Sequence, residues 1–199
     1  MFAESRIADF LEAVAAKRPT PGGGSVSAMV GALGAALGVM TARFSESSDA
    51  EQALDGIKNE LLALADQDAE AYGMVNKAMS LPKDSDETKR RRKEALQNAL
   101  GEASEVPLRG MGLGVKGLEA LAALAPSCNR NLTSDLAGAA GFLAAAVGGC
   151  AENVRINAAA LKDRERGERL ETERSRLLGE AETLRGRIAR EVERLYAAR

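Results

Sequence analysis

Histidine and tryptophan are absent from this 199-residue chain, and cysteine occurs only twice, at Cys128 and Cys150. Without His, the commonest general base and metal ligand is missing, which closes Ser-His-Asp and Cys-His catalysis. The two cysteines are too far apart for a CxxC motif and too few for a disulfide scaffold, so a reducing, cytoplasmic setting is expected. Four Phe and two Tyr are the only aromatic residues. So few rings cannot build stacking platforms for single-stranded nucleic acid. A net charge of −2 supplies no basic field for phosphate backbones either. No nucleic-acid partner is expected. The first ten residues carry Glu4 and Asp9 and show no secretory pattern. Val and Ile are scarce while Ala, Leu, Glu and Arg abound, so the fold expected is all-α, in one domain over 1–199.

Residues 4–17 place Ile7, Phe10, Leu11 and Val14 on one stripe, which predicts an amphipathic helix ended by Pro19 and Pro21. Thr20-Pro21-Gly22-Gly23-Gly24-Ser25 then reads as a turn, with Ser25 placed to cap the next helix. Residues 26–42 contain no charge and many small side chains. Their length approaches a membrane span, but they are Ala/Gly-rich, without aromatic belt or basic flank. A buried helix closely approached by a neighbour is the reading adopted, with no membrane partner.

A long helical pattern runs from about 50 to 80, with Leu54, Ile57, Leu61, Leu64 and Ala65 on one side. Leu81-Pro82-Lys83-Asp84 breaks it, and Ser85 opens the next helix, in which Pro107 is expected to introduce a kink or interruption. A second weakly charged helix is predicted over 133–161, after a polar turn at 128–131. The last segment is a charged amphipathic helix through Leu170, Leu177, Leu184, Ile188, Val192 and Leu195. The architecture expected is a long-helix bundle with the two small-residue helices at its centre. Their faces also suit a symmetric dimer seam.

Five places can carry chemistry. Gly22, Gly23, Gly24 and Ser25 form either an anion-binding helix start or a turn for close packing; no strand precedes them and no Gly-Lys-Ser/Thr ending follows. Asn131, Ser134 and Asp135 open an apolar helix, where Asp135 either favours the helix dipole or moves protons. Asp66 and Asp68 lie on the long third helix, with Tyr72 one turn beyond Asp68. Asn153 and Asn157, four apart, share one helix face, and their amides either read a heterocycle's edge or satisfy buried backbone at a crossing. Lys83 is a loop cation, free for an acidic ligand tail or only solvated.

In order along the chain these segments resemble the cyclodeaminase/cyclohydrolase family of folate enzymes. The resemblance rests on Pro19-Thr20-Pro21-Gly22-Gly23-Gly24-Ser25 before the Ala/Gly helix, Asp66-Gln67-Asp68-Ala69 ahead of Tyr72, and Leu81-Pro82-Lys83. It continues through Arg91-Arg92 before Ala95-Leu96-Gln97, Val106-Pro107-Leu108, Asn131 with Ser134-Asp135-Leu136, and Asn153-Val154-Arg155-Ile156-Asn157. It implies an all-helical homodimer acting on tetrahydrofolate that carries a one-carbon unit, without metal or redox cofactor. The reaction implied is closure of 5-formiminotetrahydrofolate to 5,10-methenyltetrahydrofolate with loss of ammonia. The alternatives are methenyltetrahydrofolate cyclohydrolase and a divergent, non-catalytic ligand-binding dimer. For the first reaction Asp135 is placed ahead of Asp68 as proton carrier, with Lys83 on the folate carboxylates. The glycine turn with Asn131, Ser134, Asn153 and Asn157 holds the ligand. One segment departs from the family pattern: Arg43-Phe44-Ser45-Glu46-Ser47-Ser48-Asp49 is short and acidic where members usually carry a longer basic, aromatic-containing stretch.

Overall fold

In a computed structural model, which describes residues 1–197, six α-helices account for almost the whole chain. They are α1 (Ile7–Ala15), α2 (Gly23–Phe44), α3 (Ser48–Met79), α4 (Asp86–Leu124), α5 (Thr133–Ala159) and α6 (Arg164–Ala197). No strand occurs among the described residues. The helices α2, α3, α4 and α5 pack around one shared core, and α6 lies across α4 and α5.

Periodicity explains most of this. On α3 the stripe Leu54, Ile57, Leu61, Leu64 and Ala65 is buried throughout, and on α6 Leu170, Leu177, Ile188, Val192 and Leu195 are buried with Leu184 partly so. The outer faces of α6 carry Arg–Glu pairs three or four apart, such as Arg176 with Glu173 and Glu180. Arg166 and Arg169 reach Glu105 on α4 and dock α6 to it. These exposed pairs hold orientation more than they add stability.

The small residues of α2 work by close approach. A side chain at Gly34 would meet the Leu143 backbone nitrogen at 3.0 Å and the Ala139 carbonyl at 3.1 Å, so α2 and α5 touch backbone to backbone. Each of these two helices also keeps an outward apolar face, with Leu33 58% and Phe142 48% exposed. Both are long and apolar enough, by length and composition, to cross a bilayer.

Three local expectations are corrected. The α1 stripe does not pack inward: Phe10 is buried, but Ile7, Leu11 and Val14 are exposed, because α1 rides over the open side of α2. Ser25 is not a cap: α2 begins two residues earlier, its N-cap Gly22 makes no side-chain bond, and the Ser25 hydroxyl turns inward instead. Pro107 breaks nothing, since α4 runs through it from Asp86 to Leu124. A proline lacks the N–H that would bond the carbonyl four residues back, here Ala103. The Asn157 side-chain amide donates to that carbonyl at 3.0 Å and takes over the lost bond. Replacing Asn157 by Ala should strand it and destabilise the fold by about 1–3 kcal/mol, read as a lower denaturant midpoint at unchanged slope.

The acidic segment after Arg43 is a tight α2–α3 turn. Arg43 pairs with Glu51 at 2.7 Å, and the Ser45 hydroxyl accepts from the Asn129 backbone N–H at 2.9 Å. Asn129 also donates its amide to the Phe44 carbonyl at 3.0 Å, which fastens the α2 C-terminus to the start of α5.

Candidate active site

One cavity gathers most of the chemistry-bearing residues. It has a volume of about 300 Å³ and lies between the starts of α2, the middle of α3, α4 and the C-terminal part of α5. Gly22, Gly23 and Gly24 form one wall, Asp68 and Tyr72 a second, and Asn153 and Asn157 a third. Ile156 and Val75 add apolar surface.

The glycines are there for space. A Cβ on Gly24 would fall inside the Asp68 carboxylate, closer than any van der Waals contact. A Cβ on Gly23 would crowd the Asn153 amide nitrogen at 3.3 Å. Hydrogens at these positions let α2 settle directly onto Asp68 and α5. The Thr20–Pro21 peptide bond ahead of them is cis.

Asp68 is the acid of the cavity. Its carboxylate accepts from the Ser25 hydroxyl at 3.0 Å and also from the Ser25 backbone N–H. Burial pushes its pKa above the ordinary carboxylate value, because removing water penalises the anion more than the two Ser25 bonds favour it. A carboxyl so placed holds its proton longer and is suited to donate it.

The paired amides of α5 are half engaged. Asn153 donates to the Gly149 carbonyl at 2.9 Å and Asn157 to the Ala103 carbonyl. Among the described residues no donor is seen on their side-chain oxygens, and both residues line the cavity. Of the two readings of the pair, satisfying backbone at a helix crossing is seen at Asn157, which reaches α4, while the Asn153 bond stays within α5. Cys150 lies beneath, and burial, with Asp68 adding a smaller push, raises its thiol to about 12, so it is inert.

The other candidate residues lie elsewhere. Asp135 and Ser134 sit in the first turn of α5 and Asn131 just before it; Asp135 is 18 residues or about 27 Å of helix from Asn153. Within one chain, Asp68 and not Asp135 is the carboxyl of this cavity, since the length of α5 keeps the two apart. Lys83 is exposed in the α3–α4 loop, outside the lining and beyond the α3 end. Asp66 accepts from the Phe2 backbone N–H at 2.6 Å and anchors the N-terminus.

The sequence profile described as formiminotransferase-cyclodeaminase matches residues 6–176, most of the chain. The chain belongs to this family. Among its relatives, a methenyltetrahydrofolate cyclohydrolase of Methylorubrum extorquens is 34% identical over 199 residues, covering 94% of this chain and 96% of that protein. The formimidoyltransferase-cyclodeaminase of Gallus gallus is 38% identical over 181 residues, covering 85% of this chain. This cyclodeaminase-family chain corresponds to about a third of that longer protein, 32% of its length. The crystal structure of formiminotetrahydrofolate cyclodeaminase from Thermotoga maritima superposes with a TM-score of 0.87 at 29% identity, covering 98% of this chain and all of the other.

Within this cyclodeaminase-family fold, sequence reasoning missed the contact between Ser25 and Asp68 and the apolar lining by Val75 and Ile156. The run of three glycines was the one signal for the first, as it marks where another side chain needs room. Nothing local pointed to Ala103, whose carbonyl only matters because Pro107 lies four residues on.

Proposed function

We propose that this chain is a folate one-carbon enzyme, and that its reaction is closure of 5-formiminotetrahydrofolate to 5,10-methenyltetrahydrofolate with release of ammonia. The observation that carries this reading is Asp68, held with a raised pKa in a cavity lined by backbone glycines and two amide oxygens. The family and the names of its full-length relatives supply the substrate class.

The chemistry asks for little beyond position and protons. The N10 nitrogen attacks the formimino carbon, and the C=N pair moves onto the imino nitrogen, which takes a proton from the Asp68 carboxyl. The carboxylate so formed takes the N10 proton and passes it to the same nitrogen. That nitrogen, now carrying three hydrogens, leaves as ammonia with the electron pair of its C–N bond; the N5 and N10 lone pairs complete the amidinium of the methenyl bridge, and one proton from solvent restores the Asp68 carboxyl. No cofactor is needed for these steps. Holding N10 against the carbon supplies much of the rate, and the proton carrier contributes roughly 10²–10⁴. The amide oxygens of Asn153 and Asn157 face the N–H groups of the pterin edge, and Lys83 lies toward the glutamate tail. Asn131, Ser134 and Asp135 enter only from a second copy, because the working unit proposed is a homodimer in the cytoplasm.

A second reading, methenyltetrahydrofolate cyclohydrolase, is favoured by the Methylorubrum relative, which matches this chain nearly end to end. There the Asp68 carboxylate takes a proton from water attacking the methenyl carbon. Absorbance of methenyltetrahydrofolate separates them. Appearance from 5-formiminotetrahydrofolate is expected. Loss of methenyltetrahydrofolate above its spontaneous rate, without that appearance, assigns the hydrolase. No change in either direction overturns both.

A further inference from the structure

Gln97 on α4 holds the turn that leads from α5 into α6. Its side-chain amide donates to the Ala160 carbonyl at 3.1 Å, and its side-chain oxygen accepts from the Lys162 backbone N–H at 2.6 Å. Lys162 is thereby fixed beside α4, next to Lys93, which lies one helical turn before Gln97. The two ammonium groups are in contact. That contact lowers the Lys162 pKa below the ordinary lysine value, with a smaller push from loss of water.

Two like charges in contact repel, and nothing in the chain offsets this pair. Among the described residues neither ammonium has a carboxylate or carbonyl partner. The groups around them are engaged elsewhere. Lys89 pairs with Asp86 at 3.0 Å, Arg92 donates to the Met79 carbonyl at 3.0 Å, and Asp163 accepts from the Arg166 backbone N–H at 3.0 Å. The C-terminus of α5 nearby offers roughly half a negative charge, too little to balance two cations.

The pair stands at the end of a stripe that begins in the cavity. Lys93, Leu96, Leu100 and Ala103 follow one another at spacings of three, four and three residues, on one face of α4. Ala103 lines the cavity. Leu96 and Leu100 are half-buried and pack against Ala103 and Val75, a second lining residue. On the α5 side Asn157 lines the cavity, and Lys162 is five residues further on. From Ala103 to Lys93 the helix rises about 15 Å. An apolar strip of that length therefore leads from the cavity to two unpaired ammonium groups.

We propose that Lys93 and Lys162 together bind the two carboxylates of the substrate's glutamate, with its benzoyl ring laid along Leu96 and Leu100. The proposal rests on the cavity holding the one-carbon end of a folate. Beyond N10 a folate presents a flat apolar ring and then a glutamate dianion, the order and reach in which this surface offers leucines and then ammonium groups. With the dianion bound, each cation gains a charge-assisted hydrogen bond and the repulsion between the two is offset. Gln97 is the positioning residue, since it fixes one cation against the other. Lys83, at the same end of the bundle but in the exposed loop before α4, adds only to the field around the tail.

The test titrates the full chain with 5-formyltetrahydrofolate and with 5-formyltetrahydropteroate, the same ligand without its glutamate. Neither is turned over by the reaction proposed, so binding is read alone. Wild type should bind the folate roughly 10–100-fold more tightly, the worth of two charge-assisted hydrogen bonds at a solvated site. In the double variant Lys93→Gln, Lys162→Gln the two ligands should bind alike, with the affinity for the pteroate unchanged. Both lysine side chains are exposed and hold nothing, so this variant should melt no lower than wild type. Gln97→Ala keeps both charges but frees the turn, and should shrink the folate-to-pteroate ratio without weakening the pteroate. Lys83→Gln should leave most of the ratio intact. A ratio near one in wild type, or one that survives in the double variant, overturns the proposal and leaves folate binding in the cavity standing. A ratio lost equally in Lys83→Gln overturns the pair as the site. Binding of neither ligand overturns the folate reading itself, and this proposal with it.

Discussion

Replacing Asp68 by Asn should lower turnover by roughly 10²–10⁴-fold, the amount one positioned proton carrier supplies, while the protein becomes more stable at neutral pH. The two effects have one origin. Burial between α2 and α3 raises the Asp68 pKa in the folded chain above its unfolded value. At a pH below the unfolded value the group is protonated in both states and favours neither. As pH rises through the folded value, the native state must ionise a buried carboxyl, and stability falls. An Asn there has no such cost and still accepts from Ser25. Thermal midpoints of the two proteins should therefore converge in acid and separate toward neutrality, with the variant higher. A variant that is less stable at neutral pH, or retains its turnover, would show Asp68 to be a structural group.

The second large effect is expected at Gly24. A methyl group there meets the Asp68 carboxylate, so Gly24→Ala must push α3 away from the start of α2 or swing the carboxyl out of the cavity. A displacement of about 1 Å at the reacting groups costs roughly 10²-fold in turnover. The control is Gly56→Ala in the middle of α3, where an added Cβ has nothing within 4 Å. That change should raise stability by about 0.5–1 kcal/mol through helix propensity and leave turnover unaltered. If Gly24→Ala behaves like Gly56→Ala, the close approach of α2 to Asp68 has no part in the chemistry.

Helices with strong periodicity were legible in the sequence because burial on one face decides them. The stripes of α3 and α6 fall where Leu54 to Ala65 and Leu170 to Leu195 predict. The failures all come from partners far along the chain. Pro107 breaks a helix in isolation, but Asn157, 50 residues later, accepts its consequence. Ile7, Leu11 and Val14 have the pattern of a core stripe, but α1 packs through Phe10 and Ala13 and leaves the three exposed.

The site shows the same division. Its glycine turn and its pair of Asn residues were visible because both need local backbone or a fixed helical spacing. The choice between Asp68 and Asp135 was not. Each is an acid near the apolar part of a helix, and locally they differ little. What separates them is that Gly24 brings α2 onto Asp68, while Asp135 is left on the outer face at the far end of α5. The likeness to a known family named both residues without saying that one chain cannot hold them together.

The most direct measurement is a crystal structure with 5-formyltetrahydrofolate, whose N5 formyl group resembles the formimino group but has no ammonia to lose. The account predicts the formyl group within hydrogen-bond distance of Asp68, in the cavity that Gly23, Tyr72 and Asn157 line, with the glutamate tail leaving toward the α3–α4 loop. A folate bound elsewhere, or bound here with its one-carbon group turned away from Asp68, would contradict it.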